Sequence, residues 1–521
     1  MTRKIKVTFL PDRVSVSIAQ NKLTIKDAAK LAGVIIELQC GGKGKCGKCR
    51  VTITEGKSAP KSCLACQYII NKNSVVQIPK SAHVDRKKLL ISATTGPKIT
   101  NISKNIGVAI DIGTTTVVGV LADIESKQTL DVWALTNPQY VHGADVISRI
   151  NYVINQENGL KIIQNEIVNA INQIIDKLCL DTRVNKINIR EMSVVGNTTM
   201  QHFLLGIDPR SLSVAPYQPP VKGSYQIKKA IQLGIMINPE ARVYVVPNIA
   251  GWVGGDTIGV ILATKQHKSN KIKLSVDIGT NGEMVLGSKK KLLAASTAAG
   301  PCFEGARISC GMRATTGAIE SVYMSEEGIF WRVIDRLQAQ GICGSALIDT
   351  VAELLKFGII DETGRIVNKA ELEGKIPEVL LKSIIENESG NSFELTDKVI
   401  LTQRDIRELQ LAKAAIYAGI HILLKELKIA INEVDEILLA GTFGNYIDKS
   451  NAQKIGLIPN ISLEKVRYVG NAACEGSRLT LVSNEERKEA EAISKSVNYI
   501  ELSGHPDFQE AFVDAMMFNS K

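Results

Sequence analysis

Apolar and polar residues alternate with period two over Ile5–Leu10 and again over Val14–Ile18, with Pro11-Asp12-Arg13 between them. This pattern predicts two paired strands and a turn. Thr24 then caps a short helix, Ile25 to Ala32, that ends at Gly33, and Arg50–Thr54 and Val75–Ile78 read as further strands. From Gly107 onward the pattern changes. Gly107-Val-Ala-Ile-Asp111, Glu191-Met-Ser-Val-Val-Gly196, Lys273-Leu-Ser-Val-Asp277 and Glu436-Ile-Leu-Leu-Ala-Gly441 are nearly continuous apolar runs, as in strands buried on both faces. Between them, Leu160–Leu180 carries Ile163, Ile167, Ile171 and Ile174 at helical spacing. Thr402-Gln-Arg-Asp405 opens a helix to about Lys425 with Leu409, Ala412, Ile416 and Ile420 on one face.

A chain of 521 residues exceeds one core, and 45% hydrophobic with 22% charged residues is the composition of a folded multidomain protein. No run approaches the roughly 18 apolar residues that span a bilayer. The N-terminus reads as a strand and not as a signal peptide, so a cytoplasmic protein without a membrane segment is expected. Charge is uneven: residues 1–100 carry 19 Lys plus Arg against 5 Asp plus Glu, and the other 421 carry 44 against 48. The basic end is either a solvated surface or a face that steers toward an acidic protein. No aromatic interleaving accompanies the lysines, so nucleic acid is not the expected partner.

Five of the ten cysteines lie in the first 66 residues, which favours cofactor ligation over disulfides. Cys40, Cys46 and Cys49 are spaced C-x5-C-x2-C on a Gly- and Lys-rich loop, and Cys63 and Cys66 follow. Four thiolates there can hold an iron-sulfur cluster or zinc, and the spacing is one residue longer in its first gap than the plant-type ferredoxin pattern. Hairpin, helix, cysteine loop and strands resemble a β-grasp [2Fe-2S] ferredoxin. In that resemblance Leu64-Ala-Cys66-Gln67 matches the string of the last ligand, which implies Cys66 ahead of Cys63.

A second signal is repeated. Asp111-Ile-Gly113-Thr114-Thr115-Thr116 is a hydroxyl-rich turn between apolar strands, and Asp277-Ile-Gly279-Thr280-Asn281-Gly282 recurs 166 residues later. Such turns cradle phosphate with amides and hydroxyls, and the Asp is placed for Mg²⁺. The doubled turns, with Gly196-Asn-Thr-Thr and Gly441-Thr442-Phe-Gly444, resemble the actin, Hsp70 and sugar-kinase ATPases. That resemblance implies a duplicated actin-like, ribonuclease H-like fold binding ATP. It gives phosphate and Mg²⁺ roles to Asp111–Thr116 and Asp277–Gly282, and adenosine support to Gly441, Thr442 and Gly444. It also makes Asp256, at the start of the helix in Gly254-Gly-Asp256, a candidate for orienting the attacking water; complementing the helix dipole is the alternative. The Gly-rich tract Ala298–Ser321 approaches either nucleotide or core. The expected domains are 1–80 (ferredoxin), 81–105 (linker), 106–210 (first ATPase half) and 211–521 (second half), a multidomain α+β and α/β architecture.

With Gly196-Asn-Thr-Thr-Met-Gln-His202, Gly300-Pro-Cys-Phe-Glu-Gly305 and Gly341-Ile-Cys-Gly-Ser345, the whole chain resembles the reductive activators of corrinoid-dependent methyltransferases. The resemblance implies one-electron reduction of a partner's Co(II) to Co(I), tied to ATP and fed by a low-potential donor, in a protein that is often a homodimer. A redox-sensing nucleotide switch and a small-molecule kinase with an appended ferredoxin are the alternatives.

Overall fold

The structure, a computed structural model, describes residues 4–10, 14–21, 23–32, 34, 36, 49–56, 58–79, 102–221, 223–388, 390–441 and 447–518. The expected turn at 11–13 and most of the linker lie outside them.

At the N-terminus, β1 (Lys4–Leu10) pairs antiparallel with β2 (Val14–Ala19), with Ile5 opposite Ile18 and Phe9 opposite Val14. That register turns Ile5, Val7 and Phe9 to one buried face. β3 (Arg50–Glu55), β4 (Lys61–Leu64) and β5 (Ser74–Gln77) complete a sheet of order β2-β1-β5-β3-β4. The helix Ile25–Leu31 packs Ile25, Ala28 and Ala29 into its core. Thr24 and Asp27 cap that helix reciprocally: the Asp27 amide donates to Thr24 Oγ1 at 3.2 Å and the Thr24 amide to Asp27 Oδ2 at 3.1 Å. This is the β-grasp plan.

The rest is built twice. β6 (Ile106–Ile112), β7 (Thr116–Asp123) and β8 (Thr129–Thr136) form an antiparallel meander, to which β9 (Ile189–Gly196) adds in parallel beside β6. β10 (Tyr225–Ile227) and β11 (Arg242–Val245) extend it, giving the order β10-β11-β9-β6-β7-β8. β12 (Lys273–Ile278), β13 (Gly282–Ser288) and β14 (Lys291–Thr297) repeat the meander. After two small sheets, β15 (Ala318–Ser325), β16 (Gly328–Val333), β17 (Gly341–Ile342) and β18 (Ile384–Ile385), β19 (Ser392–Thr396), β20 (Val399–Thr402), the parallel strands β21 (Glu436–Ala440) and β22 (Val466–Gly470) join it. With β23 (Asn498–Tyr499) the second sheet is ordered β22-β21-β12-β13-β14-β23. Each meander therefore meets two parallel strands in the same positions.

The expected division at 210/211 is corrected by this pairing. β11 lies beside β9 in parallel, Met192 opposite Val243 and Val194 opposite Val245, so the first half keeps the chain at least to Val245. Cutting at 210 would strip β9 of a partner and leave its peptide groups unpaired.

The helices fall where the periodicity placed them. Gly159–Thr182 buries Ile163, Ile167, Ile171 and Ile174 against the first sheet, and Gln403–Leu427 buries Leu409, Ala412, Ile416 and Ile420 against the second, with Thr402 and Asp405 forming its capping box. Two further helices, Gly255–Thr264 and Ala472–Val482, cross between the sheets; the first touches β9 and β13, the second β6 and β9. They meet at glycine. A Cβ on Gly259 would stand 2.7 Å from the Ala473 carbonyl oxygen, and one on Gly476 would overlap the Gly259 backbone. Gly476→Ala is expected to destabilise by about 1–3 kcal/mol through overpacking. A thermal melt checks this, with Gly504→Ala, whose Cβ enters open space, as the unchanged control.

Candidate functional site

Two sites follow from these elements. In the first, the hairpin β3–β4 aligns Arg50 with Leu64, and the Ala65 amide donates to the Cys49 carbonyl at 2.9 Å. The turn after β4 thereby brings Cys66 Sγ to 3.3 Å from Cys49 Sγ, both thiols buried. That separation is too long for a disulfide, and it fits two sulfurs converging on one metal centre. Cys63 sits opposite Val51 within the ladder, half-buried, and burial pushes its thiol up from the ordinary range. Cys40 and Cys46 lie outside the described residues.

The second site is a cleft of about 760 Å³ between the two halves. The turns that follow β6 and β12 face each other across it and close alike: the Gly113 amide donates to the Thr116 carbonyl and the Gly279 amide to the Asn281 carbonyl, each at 3.0 Å. A side chain at Gly113 would press within 2.6 Å of the Thr116 carbonyl oxygen. Asp111, Gly113, Thr114, Thr115, Thr116, Asp256, Asp277, Gly279, Thr280, Asn281 and Gly441 all line the cleft. Gly441 has φ +86°, and a Cβ there would run into Asp277 Oδ1. Gly282 instead backs onto the core, where a Cβ would come 2.9 Å from Ile416 Cγ1. Thr442 and Gly444 lie outside the described residues.

Carboxylates crowd the floor of the cleft. Burial pushes Asp111 up to about 7, with Asp256 and Asp277 adding to it and the Asn471 amide, donating to Asp111 Oδ2 at 3.0 Å, opposing it. Burial, then Asp256, pushes Asp277 up to about 7. Asp256 is raised to about 6 by burial, against the Thr257 amide that donates to its Oδ1 at 2.7 Å. Glu283 is held well above its ordinary range by burial and by Asp256 and Asp277. Burial is the leading cause in all four, and among the described residues no three acids, cysteines or histidines are gathered as a ready-made metal site.

Other side chains hold the first turn in shape. Arg149, fully buried, donates to the Thr114 carbonyl at 2.6 Å and to the Gly143 carbonyl at 3.0 Å. Asn197, the cap of helix Thr198–Leu205, donates to Thr114 Oγ1 at 3.1 Å. Asn137 donates its side-chain amide to the Gly113 carbonyl at 2.9 Å and its backbone amide to the Thr115 carbonyl at 2.8 Å. Sequence patterns missed Glu283, Glu304, Arg149, Asn137 and Asn471. Glu283 alone carried a signal, since it directly follows the second turn. The glycine-rich tract is divided: Cys302, Phe303 and Ile308 are core, as the packing alternative expects, while Glu304 and Arg313 line the cleft.

The two domains also touch. Tyr140 lies in the turn Pro138–His142 after Asn137, is buried among the N-terminal core residues, and donates its hydroxyl to the Ile36 carbonyl.

The residues match three family descriptions in chain order. Residues 7–71 match a 2Fe-2S iron-sulfur cluster binding domain, 106–269 the RACo middle region, and 271–521 the C-terminal domain of RACo, the ASKHA domain. The chain is 33% identical to the corrinoid activation enzyme RamQ of Eubacterium limosum, over 99% of each chain. It is 25% identical to a [Co(II) methylated amine-specific corrinoid protein] reductase of Methanosarcina barkeri, over 75% of this chain and 72% of that one. A solved reductive activator for corrinoid, iron-sulfur protein superposes with a TM-score of 0.72 at 31% identity, covering 99% of this chain and 98% of that one. A cysteine-bearing β-grasp domain and an acid-floored cleft between two like halves, joined in one chain and matched over nearly its whole length by the Eubacterium limosum enzyme and the solved activator, place it in the family of reductive activators of corrinoid proteins.

Proposed function

We propose that this chain uses ATP to reduce a corrinoid protein, returning inactive Co(II) to Co(I) by one-electron transfer. The observation that carries this is the end-to-end likeness to a corrinoid activation enzyme in a chain that joins converging thiols to a two-turn cleft. When bound, the [2Fe-2S] cluster supplies one electron at a time, oxidised by one as the partner's cobalt is reduced by one. Cys40, Cys46, Cys49 and Cys66 would hold it.

In the cleft, the turns Gly113–Thr116 and Gly279–Asn281 would receive phosphate oxygens on their remaining amides and hydroxyls, and Asp111 and Asp277 would hold Mg²⁺, directly or through water, to offset phosphate charge. Gly441, with Thr442 and Gly444, supports the adenosine. Asp256 orients the attacking water. Its place on the cleft floor beside Asp111 and Asp277 supports this role, alongside the bond it accepts from the Thr257 amide at the start of its helix. The basic N-terminal hundred residues would dock an acidic face of the corrinoid protein, while a low-potential donor reloads the cluster. Among the described residues no helix is long and apolar enough to cross a membrane; a cytoplasmic location is proposed from the sequence, and a homodimer only from the family resemblance.

Absorbance spectra of the protein mixed anaerobically with a Co(II) corrinoid protein, reductant and Mg-ATP test the reading. Co(I) is expected to appear only with all components present; cobalt that stays Co(II) sinks the proposal, and ATP turnover confined to a small-molecule acceptor replaces it with a kinase. Asp256→Asn is expected to retain ATP binding while ATP hydrolysis falls about 10²-fold or more. Cys66→Ser is expected to lose bound iron and the cluster absorbance, whereas Cys63→Ser retains both, as iron analysis of the two variants will read out.

A further inference from the structure

One hydroxyl from each of the facing turns is already engaged, and by the same carboxylate. Thr115 Oγ1 donates to Glu304 Oε2 at 2.7 Å and Thr280 Oγ1 donates to Glu304 Oε1 at 2.8 Å, with the two hydroxyls 3.2 Å apart. Thr115 belongs to the first half and Thr280 to the second, so one side chain spans the cleft. A hydroxyl carries a single proton to donate. A phosphate oxygen can receive it only after the carboxylate has let go, and two anions held at hydrogen-bond spacing of the same donors repel each other strongly in a partly buried site.

Glu304 is firmly mounted. It ends the tight turn Pro301–Glu304, with Cys302 and Phe303 buried behind it. The Gly300 amide donates to the Thr280 carbonyl at 2.9 Å. Gly305 adopts φ +77°, and a Cβ on it would stand 2.5 Å from the Met312 amide nitrogen. Arg313, from the same segment, crosses the cleft to Thr136 Oγ1 at 3.0 Å. Thr136 ends β8, next to the Asn137 amide that holds the Thr115 carbonyl. Two cross-cleft contacts thus leave segment 300–313 of the second half and land on one corner of the first.

We infer that Glu304 is a stand-in for phosphate: its carboxylate latches the nucleotide-free cleft across the two turns, and ATP must expel it to bind, releasing segment 300–313 from the first half. The inference rests on the cleft being the ATP site. Because the latch competes with phosphate for the same two protons, removing its charge favours the nucleotide. Hydrogen bonds to charged groups are strong enough that Glu304→Gln is expected to bind ATP roughly ten-fold more tightly than the parent protein.

Calorimetric titration of the full chain with ATP, in Mg²⁺ and in EDTA, measures this for the parent, Glu304→Gln and Glu304→Ala. The gain is expected in both buffers and both variants. Trypsin cleavage after Arg307 and Arg313 gives a second reading that needs no variant: ATP is expected to accelerate it in the parent, and Glu304→Gln to show the faster rate without ATP. An unchanged or weaker affinity in the variants, or a change seen only with Mg²⁺, overturns the latch and makes Glu304 a structural residue or a metal ligand. A parent protein that binds no ATP overturns the nucleotide reading and the latch with it; a parent that binds ATP beside variants that gain nothing overturns the latch alone.

Discussion

What the cleft can do depends on how closely two helices pass. Gly259 and Gly476 let the helices Gly255–Thr264 and Ala472–Val482 cross backbone on backbone, and every element that carries chemistry is hung from that crossing. The first helix starts at the Asp256 turn, and the second at Asn471, which reaches Asp111 in the other half. Ser477 lies 3.1 Å from the Ile110 carbonyl and 3.0 Å from the Ser193 carbonyl, so the second helix is stitched to the strands that end in the first turn and the Asn197 cap. A methyl group inserted at the crossing would change the gap between two turns that must meet the same phosphate chain. Close packing of this kind transmits a small displacement without absorbing it.

Much of this was legible in the residues, and the reason is locality. A tight turn between buried strands writes its requirements within six positions, so Asp-Ile-Gly-Thr could be recognised twice, and the duplication of the two meanders goes with it. Cys49 and Cys66 were legible for the same reason, being fixed by a hairpin and a short string. The unread part is non-local. Glu304 meets Thr115 across 189 residues and Asn471 meets Asp111 across 360, and no spacing rule links such pairs. The boundary at 210 failed because β11 is a parallel partner of β9, and parallel pairing, unlike a hairpin, leaves no turn to mark it. Arg149 was invisible because a buried arginine reads in sequence as one more helical charge; only its bonds to the Thr114 and Gly143 carbonyls show that it shapes the turn.

The acids on the cleft floor and the fixed donors around them are complementary in cost. Burial raises the pKa values of Asp111, Asp256, Asp277 and Glu283, and Asp256 adds to the rise at the other three, so ionising them all is electrostatically unfavourable. The scaffold sustains this because Arg149, Asn137 and Asn197 hold the first turn by hydrogen bonds to its backbone and to Thr114, independent of any ligand. The backbone of the first turn is therefore shaped by the protein itself, and the adjustment left to a ligand falls on the side chains around it.

Tyr140 gives the N-terminal domain a different standing from that of a tethered electron carrier. It belongs by sequence to the ATPase, three residues beyond the asparagine that holds the first phosphate turn, yet it fills space in the ferredoxin core. The iron-sulfur module is thus completed by an aromatic borrowed from its neighbour. Cut free, it would carry a hole the size of that ring, and a ferredoxin grafted in its place would have to supply a matching socket. The two modules therefore pack as one unit, and the socket for Tyr140 is where they are joined.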